Sequence, residues 1–307
     1  MSIYTNTIFI SVVVCTHNRS QLLRDCLESL ASQQLPDKQY EVIVVNNCST
    51  DDTDAVIQKF IIGHKHFRGF KEDHLGLSHA RNRGWKEAVG EYVAYIDDDA
   101  IAPSNWVAQI NAFIERRPHV LAFGGPYDTF SLVPVPRWFP PEYGSWNLGE
   151  EERPITIGKE WIIGLNMIFK KGVLSRFGGF NTNLGMSGGR VSYGEETSLL
   201  LELKKHNVSV YYVPYIKVQH LIAEYKMRLS WLLYSSYKIG RCSALTFGVH
   251  RSLLSHVSSI GACTFAGVGK LLCFGTGPFK RRLYVSFYSL FIELGAFVEY
   301  LAAKLRK

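Results

Sequence analysis

Three adjacent aspartates, Asp97, Asp98 and Asp99, follow directly after the apolar run EYVAYI at residues 91–96. The run predicts a buried strand, and in open α/β sheets ligands bind outside the carboxyl ends of the strands. Side-chain alternation places Asp97 and Asp99 on one side and Asp98 on the other. Grouped carboxylates repel one another unless a cation neutralises them, so the pattern predicts a Mg²⁺ or Mn²⁺ site completed by a bound diphosphate. The plainer alternative is a helix N-cap beside solvated loop acids.

The elements that would position these aspartates alternate along the chain. β-Branched and aromatic runs predict strands over residues 8–15, 41–45, 91–96, 120–124, 161–169 and 208–213. Apolar residues at helical spacing predict helices over residues 20–33, 78–89, 103–116 and 195–206, with a further helix that ends near residue 60. This order predicts the α/β class, with a Rossmann-like, mostly parallel sheet flanked by helices. The proline-rich residues 126–154 predict a long irregular loop.

The composition is that of a folded protein. The chain has 307 residues, 47% hydrophobic and 20% charged, which excludes intrinsic disorder and low-complexity scaffolds. Residues 221–307 carry 12 Lys and Arg against 3 Asp and Glu, a net charge of +9, whereas residues 1–220 carry −2 of the total of +7. A uniformly basic nucleic-acid-binding protein would not show this division, so no nucleic-acid partner is expected. The six cysteines lack metal-ligand spacing and are expected to be free thiols in a reducing compartment.

The change in charge predicts a body of residues 1–222 and a helical, apolar and basic region of residues 223–307. The apolar stretch 283–303 in that region is long enough to span a bilayer, but Glu293 and Glu299 interrupt it. The pattern therefore favours an interfacial helix or a helical hairpin over a simple span. Because anionic lipids attract Lys and Arg, an anionic membrane surface is an expected partner.

Seven short motifs, in order along the chain, resemble the family 2 glycosyltransferases with the GT-A fold. They cover roughly residues 8–222 and are SVVVCTHNR (11–19), VVNNCSTDDT (44–53), GLSHARNRG (76–84), YIDDDA (95–100), GGFNTNLG (178–185), GEETSLLLEL (194–203) and VQH (218–220). The resemblance implies a GT-A catalytic domain over residues 1–222, followed by the C-terminal helices of residues 223–307. It also implies a nucleotide-diphosphate-sugar donor, with a UDP-sugar expected, and a hydroxyl acceptor that is lipid-linked or a growing glycan.

The resemblance also carries roles to individual positions. Asp99 would be the direct metal ligand, and His220 would complete the metal shell. Asn46 stands where the family usually has an aspartate that contacts the base; its amide oxygen can accept a hydrogen bond but carries no charge. Arg81 matches the arginine of the family's ARN motif and would lie near the diphosphate or base, unless it forms a structural ion pair. The residues expected to contact the nucleotide sugar are Thr16, Asn18, Arg19, Asn46, Arg81, Asp97 and Asp98.

Glu195 and Glu196 match the family's Glu-Asp pair. Glu196 takes the position of the aspartate that serves as catalytic base, but its extra methylene group leaves Glu195 as an alternative. The implied reaction is a single in-line displacement with inversion at the anomeric carbon, in which the metal stabilises the departing diphosphate and the base takes the acceptor's hydroxyl proton. Trp138, Trp161 and Asn166 are candidates for the sugar or acceptor pocket, with core packing as the alternative.

Two other functions fit parts of this pattern. Sugar nucleotidyltransferases share the strand-end aspartates, but they usually carry a glycine-rich phosphate loop after the first strand, and residues 15–19 (CTHNR) contain no glycine. A non-catalytic sugar-binding relative would not need the full set of acids together with His220. The expected function is therefore polysaccharide or glycolipid synthesis for the cell envelope, by a cytoplasmic enzyme held peripherally on the inner face of the plasma membrane.

Overall fold

The computed structural model describes residues 10–141, 143–247, 251–273 and 278–305. The strands are β1 (Ile10–Thr16), β2 (Tyr40–Asn47), β3 (Phe67–Glu72), β4 (Tyr92–Asp97), β5 (Ala100–Ile101), β6 (Ala122–Gly124), β7 (Tyr127–Phe130), β8 (Arg153–Pro154), β9 (Asn166–Lys170), β10 (Val210–Tyr212) and β11 (Val218–Leu221). The helices are α1 (Ser20–Ala31), α2 (Thr53–Gly63), α3 (Leu77–Glu87), α4 (Trp106–Arg116), α5 (Lys171–Phe177), α6 (Glu195–Lys205), α7 (Leu229–Phe247), α8 (Leu253–Cys273) and α9 (Phe279–Leu305), with a 3₁₀ helix at Glu224–Met227.

The main sheet has the strand order β3-β2-β1-β4-β9-β6-β10-β8, and a smaller sheet has the order β5-β11-β7. The pairs β3–β2, β2–β1, β1–β4 and β6–β10 are parallel, whereas β9 runs antiparallel to both of its neighbours. The predicted class, a mostly parallel sheet flanked by helices, is therefore confirmed. The second sheet brings β11, near the end of the body, beside β5, which directly follows the aspartates.

The β-branched run of β1 is buried because both faces of the sheet are covered. Val12 and Val14 point into one core, which also contains residues of α1, α2 and α4. Val13 points into the other core, with residues of α3, α5 and α6. The strand is thus held from both sides, and its carboxyl end is a fixed platform for the loop that follows.

Helix α3 lies close to the sheet because Gly84 faces β1. A side chain at position 84 would clash with Val13. The hydroxyl of Tyr95, on β4, donates a hydrogen bond to the carbonyl of Arg81 (3.2 Å) and fixes the same helix. This packing brings the guanidinium of Arg81 to the end of β4, where it lies 3.4 Å from Asp97.

The elements predicted from the sequence differ from the structure in several places. The strand predicted over residues 161–169 is wrong in its first half, since β9 begins at Asn166. The apolar Ile162 and Leu165 are buried in the cores, but they do not pair in the sheet. The helix predicted from residue 103 begins at Trp106, after a turn in which the Trp106 N–H donates to the Pro103 carbonyl. Strand β3 was not predicted because its sequence, FRGFKE, lacks an apolar run.

The described chain falls into two compact units. Of the described residues, the first unit contains those within the ranges 10–129, 145–188 and 195–220, and the second contains those within the ranges 130–144, 189–194 and 221–305. The first unit holds the main sheet and its flanking helices. The second holds α7, α8 and α9. All the cysteines whose side chains are described carry free thiols.

Helices α7 and α9 of the second unit pack closely through two glycines. A side chain at Gly240 would clash with the backbone of Ile292, and one at Gly295 would clash with the backbone of Tyr237. Glu299 is buried and accepts a hydrogen bond from Arg241 Nε at 2.9 Å. Among the described helices, α9 is the one that is long and apolar enough to cross a bilayer, by length and composition alone.

Candidate active site

Strands β1, β2 and β4 end at the same edge of the main sheet. Parallel pairing aligns Thr16 of β1 with Asn46 of β2, and Cys15 of β1 with Asp97 of β4. Thr16 is buried at this edge. The carboxyl ends of the parallel strands therefore gather the polar residues predicted to bind a nucleotide sugar.

The loop after β1 is tied to the loop after β2. Asn18 has a left-handed backbone with φ of 53°, a conformation that asparagine adopts more readily than most residues. Its Oδ1 accepts hydrogen bonds from the N–H (2.7 Å) and the hydroxyl (3.3 Å) of Thr50. Its own N–H donates to Ser49 Oγ at 2.9 Å. Asn18 thus joins two loops into one polar surface.

Asn46 is buried, and its side chain bonds to neighbouring protein groups. Its Nδ2 donates to Asp54 Oδ1 at 2.5 Å, and its Oδ1 accepts the Ser49 N–H at 3.0 Å. Asp54 in turn forms an ion pair with Lys71 at 2.6 Å. Contact between Asn46 and a nucleotide base stays a prediction. Through Asp54, this network also connects Asn46 to the positive charge of Lys71.

Asn47, which the sequence reasoning did not select, has a structural role in the next loop. Its Nδ2 donates to the carbonyls of Glu72 (3.1 Å) and His74 (2.8 Å), and its Oδ1 accepts the Gly76 N–H at 2.7 Å. These three bonds hold the chain where it leaves β3 and enters α3. The sequence feature that could have identified this role is that Asn47 is the second of two adjacent asparagines at the end of a buried strand.

Arg19 neutralises two of the three aspartates. Its Nη1 lies 2.9 Å from Asp98 Oδ1 and 3.0 Å from Asp99 Oδ2, and both carboxylates are about 95% buried. Burial raises the pKa of Asp98 to about 6, although Arg19 acts in the opposite direction. Asp98 is therefore turned into the protein, whereas the Asp97 side chain is 34% exposed.

Asp97, Asp99 and His220 form a compact group of potential metal ligands. Each offers one atom, and these atoms lie within 4.8 Å of one another. His220 Nε2 is 3.2 Å from Asp99 Oδ1, and the edge of the His220 ring faces the Tyr127 ring. Adjacent ligands of an octahedral ion bound at about 2.1 Å lie about 3 Å apart, so two carboxylates and this imidazole suit Mn²⁺ or Mg²⁺.

Arg81 connects this group to the glutamate pair. Its guanidinium is 97% buried, with Nη1 2.7 Å from Glu195 Oε1 and Nη2 3.4 Å from Asp97 Oδ1. Nη2 also donates to the carbonyl of Gly164 at 3.2 Å. The structure thus gives Arg81 buried ion pairs; contact with a diphosphate or base stays a prediction.

Glu195 and Glu196 open helix α6, and their environments differ. Glu195 is buried and paired with Arg81. Glu196 has a buried Oε2 with no hydrogen-bond partner among the described residues. Burial and the neighbouring Glu195 carboxylate raise the pKa of Glu196 to about 8, against the effect of Arg81. Once it is ionised, a carboxylate with such a pKa accepts a proton more readily than an ordinary glutamate does.

We expect Arg81→Met to lower the free energy of unfolding by about 3–5 kcal/mol, because it leaves the buried Glu195 carboxylate without its cation. The control is Arg83→Met on the same helix, where Arg83 is 40% exposed and pairs with Glu87 at i,i+4. This change should cost about 1 kcal/mol or less. Urea denaturation of both variants measures the difference, and equal losses would show that the Arg81 pair is not a buried stabilising contact.

The three pocket candidates lie in different surroundings. Asn166 is fully buried, and its Nδ2 donates to the carbonyls of Pro126 (3.0 Å) and Ile216 (2.7 Å). Its Oδ1 accepts from Trp106 Nε1 at 3.2 Å, which favours a structural role. Trp161 packs against the core that contains Val13. Trp138 belongs to the second unit, where Lys280 Nζ lies 5.6 Å from its ring centroid.

Solved structures with this fold include two glycosyltransferases. The mannosyltransferase PcManGT from Pyrobaculum calidifontis, in complex with GDP-Man and Mn²⁺, matches with a TM-score of 0.57 at 19% identity over 97% of this chain and 75% of that one. Residues 1–349 of Staphylococcus aureus TarS, in complex with UDP-GlcNAc, match with a TM-score of 0.56 at 15% identity, over 97% and 92% of the two chains. These matches show that the chain has the GT-A fold.

Sequence comparisons identify the family. The model of glycosyl transferase family 2 matches residues 11–172. Glucosyl-dolichyl phosphate glucuronosyltransferase of Haloferax volcanii is 27% identical over 239 residues, 74% of each chain. Poly(ribitol-phosphate) beta-N-acetylglucosaminyltransferase TarS of S. aureus is 33% identical over 111 residues, 34% of this chain and 19% of that protein. The chain belongs to glycosyl transferase family 2, a family that uses nucleotide-sugar donors, and the nucleotidyltransferase alternative finds no support.

Proposed function

We propose that this protein is an inverting, metal-dependent glycosyltransferase that moves a sugar from a UDP-sugar to a hydroxyl acceptor. One observation carries the proposal: Arg81 lies 2.7 Å from Glu195 and 3.4 Å from Asp97, so one buried cation joins the glutamate pair to the group of potential metal ligands. A donor diphosphate at Asp97 and Asp99 would therefore hold its sugar beside Glu196.

The reaction needs a group that takes a proton from the acceptor hydroxyl. Glu196 suits this role because its pKa is raised to about 8 and its Oε2 makes no hydrogen bond to another described residue. Glu195 is held by Arg81 and orients the start of α6. We therefore assign the base to Glu196, with Glu195 as the positioning residue.

The leaving diphosphate needs positive charge. A divalent cation, Mn²⁺ or Mg²⁺, would supply it when bound, and Asp97, Asp99 and His220 would hold the ion. Arg19 prepares this site, since it bonds to Asp98 and Asp99 and so lowers the repulsion among the three acids. Thr16, Asn18 and Asn46 would receive the nucleoside at the ends of β1 and β2.

We propose a lipid-linked acceptor and a peripheral position on the inner face of the plasma membrane, in cell-envelope glycan synthesis. The glucuronosyltransferase relative is named for glucosyl-dolichyl phosphate, a lipid-linked sugar. In this chain, residues 225–292 contain nine Lys and Arg and no Asp or Glu. Such a segment is attracted to anionic lipids.

A thermal-shift screen tests the donor assignment. Wild-type protein is heated with UDP, GDP, ADP, CDP or their sugars, each with and without Mn²⁺. A ligand that binds only the folded state at about 100 times its Kd stabilises the fold by about 2.7 kcal/mol, so we expect UDP with Mn²⁺ to give the largest rise in Tm. A larger rise in Tm with GDP would identify GDP, instead of UDP, as the donor nucleotide. No rise in Tm with any nucleotide would contradict the proposal.

A further inference from the structure

Exposed apolar side chains are concentrated in the second unit. Among the described residues, 23 large apolar side chains are exposed, and 20 of them belong to this unit. Helix α8 carries the most regular set: Leu254, Val257, Phe265, Val268 and Leu272 are exposed by 45–84%. The chance exposure of single apolar residues is ordinary, whereas a set in one unit indicates an interaction surface.

These side chains lie on one face of α8. At about 100° per residue, positions 254, 257, 261, 265, 268 and 272 fall within an arc of about 80°. We call Leu254, Val257, Gly261, Phe265, Val268 and Leu272 the α8 stripe. The opposite side of the helix contains the buried His256, and Gly267 approaches the backbone of Ser286 on α9. The stripe therefore faces away from α9.

The region that carries the stripe is strongly basic. Residues 225–292 contain nine Lys and Arg and no Asp or Glu, although Glu293 of α9 pairs with Arg251 at 2.8 Å. The stripe itself carries no charged residue: Lys270 is exposed on the opposite side of α8, and the exposed Lys280 follows at the start of α9. A helix face in water normally carries charged residues of both signs, so this face is adapted to a different environment.

We propose that the α8 stripe lies in the interface of an anionic lipid bilayer, with its apolar side chains below the headgroups and Lys280 among them. The charge favours this occupant over a second copy of the chain, because two copies would bring together two regions, residues 221–307 of each chain, that carry a net charge of +9 and repel each other. The helix lies in the plane of the membrane, as amphipathic helices with basic residues do. This inference deepens the proposed function by naming the surface that brings the enzyme to its acceptor.

Vesicle flotation of the full-length protein tests the stripe. We expect binding to phosphatidylcholine–phosphatidylglycerol vesicles and at least about tenfold weaker binding for Phe265→Glu, since a buried phenylalanine contributes this much or more. The control is Ile62→Glu, because Ile62 on α2 is exposed by 84%, the same fraction as Phe265. It should bind as the wild type does. Unchanged binding of Phe265→Glu would overturn the proposal.

A second pair of variants tests the charge. Lys280→Glu should weaken binding to anionic vesicles by about tenfold or more, since each basic residue near the surface contributes about 1 kcal/mol and a charge is reversed. Lys59→Glu, at an exposed position of α2, should leave it unchanged. Equal binding to pure phosphatidylcholine vesicles would contradict the charge argument. A lipid-free dimer that Phe265→Glu dissociates would assign the stripe to a second copy.

Donor turnover separates this inference from the proposed function. Hydrolysis of a UDP-sugar in detergent-free buffer requires no membrane, so Phe265→Glu should keep the wild-type rate. Vesicle binding without any donor turnover by the wild type would contradict the proposed function alone. Normal turnover with no vesicle binding by the wild type would overturn the membrane surface alone.

Discussion

Glu196→Gln should reduce sugar transfer by about 10²–10⁴-fold while leaving the Kd of the donor nucleotide nearly unchanged. The amide keeps the size of the side chain but cannot take the acceptor's proton, and general-base catalysis contributes a factor of this order. Calorimetry of donor binding and a transfer or hydrolysis assay measure the two effects separately. The wild-type rate should also depend on pH in a way that the variant lacks.

The direction of that dependence follows from the pKa of Glu196, which burial and Glu195 raise to about 8. Below that pH the carboxyl is mainly protonated and cannot act as a base, so the wild-type rate should rise with pH, reach half of its maximum near pH 8 and level off above about pH 9. The residual rate of Glu196→Gln should lack this rise.

Glu195→Gln is the matched control for the base. Glu195 pairs with Arg81 at 2.7 Å, so its amide variant should weaken the fold and lower the rate less than Glu196→Gln does. A dead Glu195→Gln beside an active Glu196→Gln would move the base to Glu195.

Asp99→Asn should abolish metal-dependent turnover, with a fall in rate of about 10³-fold or more. Asp99 lies between Arg19, at 3.0 Å, and His220, at 3.2 Å, so it contributes to both the neutralisation of the acids and the ligand group. Loss of a metal's charge stabilisation at a diphosphate leaving group removes several kcal/mol. Rates measured over a range of Mn²⁺ concentrations, and with EDTA, report the effect.

A second group of potential ligands provides the control for this prediction. Glu72, His74 and His79 also offer ligand atoms within 4.8 Å of one another, but His74 is 80% exposed. We expect His79→Ala to keep the Mn²⁺ dependence of the wild type. If His79→Ala lost it while Asp99→Asn kept it, the metal assignment at the aspartates would be wrong.

The sequence predicts best where one element buries a continuous apolar run. β1, β2 and β4 were predicted because each is β-branched or aromatic and is covered on both sides. β3 was missed because it lies at the edge of the sheet and its sequence, FRGFKE, contains no apolar run. The strand predicted over residues 161–165 was wrong because apolar residues can be buried in a core without forming a strand.

The acids and His220 could be found from local motifs, but their pairings could not. Arg19 bonds to aspartates 79 and 80 residues away, and Arg81 bonds to Glu195 across 114 residues. Such contacts depend on the whole fold. Burial of Glu196, which raises its pKa to about 8, likewise depends on elements far along the chain.

The most direct test of the account is the configuration of the first sugar released from the donor. Without an acceptor, water takes the place of the hydroxyl, and Glu196 would activate it in the same single displacement. ¹H NMR recorded before the sugar mutarotates identifies the anomer. From an α-linked UDP-sugar and Mn²⁺ we predict that the β anomer is released first, and that Glu196→Gln releases almost none. Release of the α anomer first would contradict a one-step inverting reaction at this site.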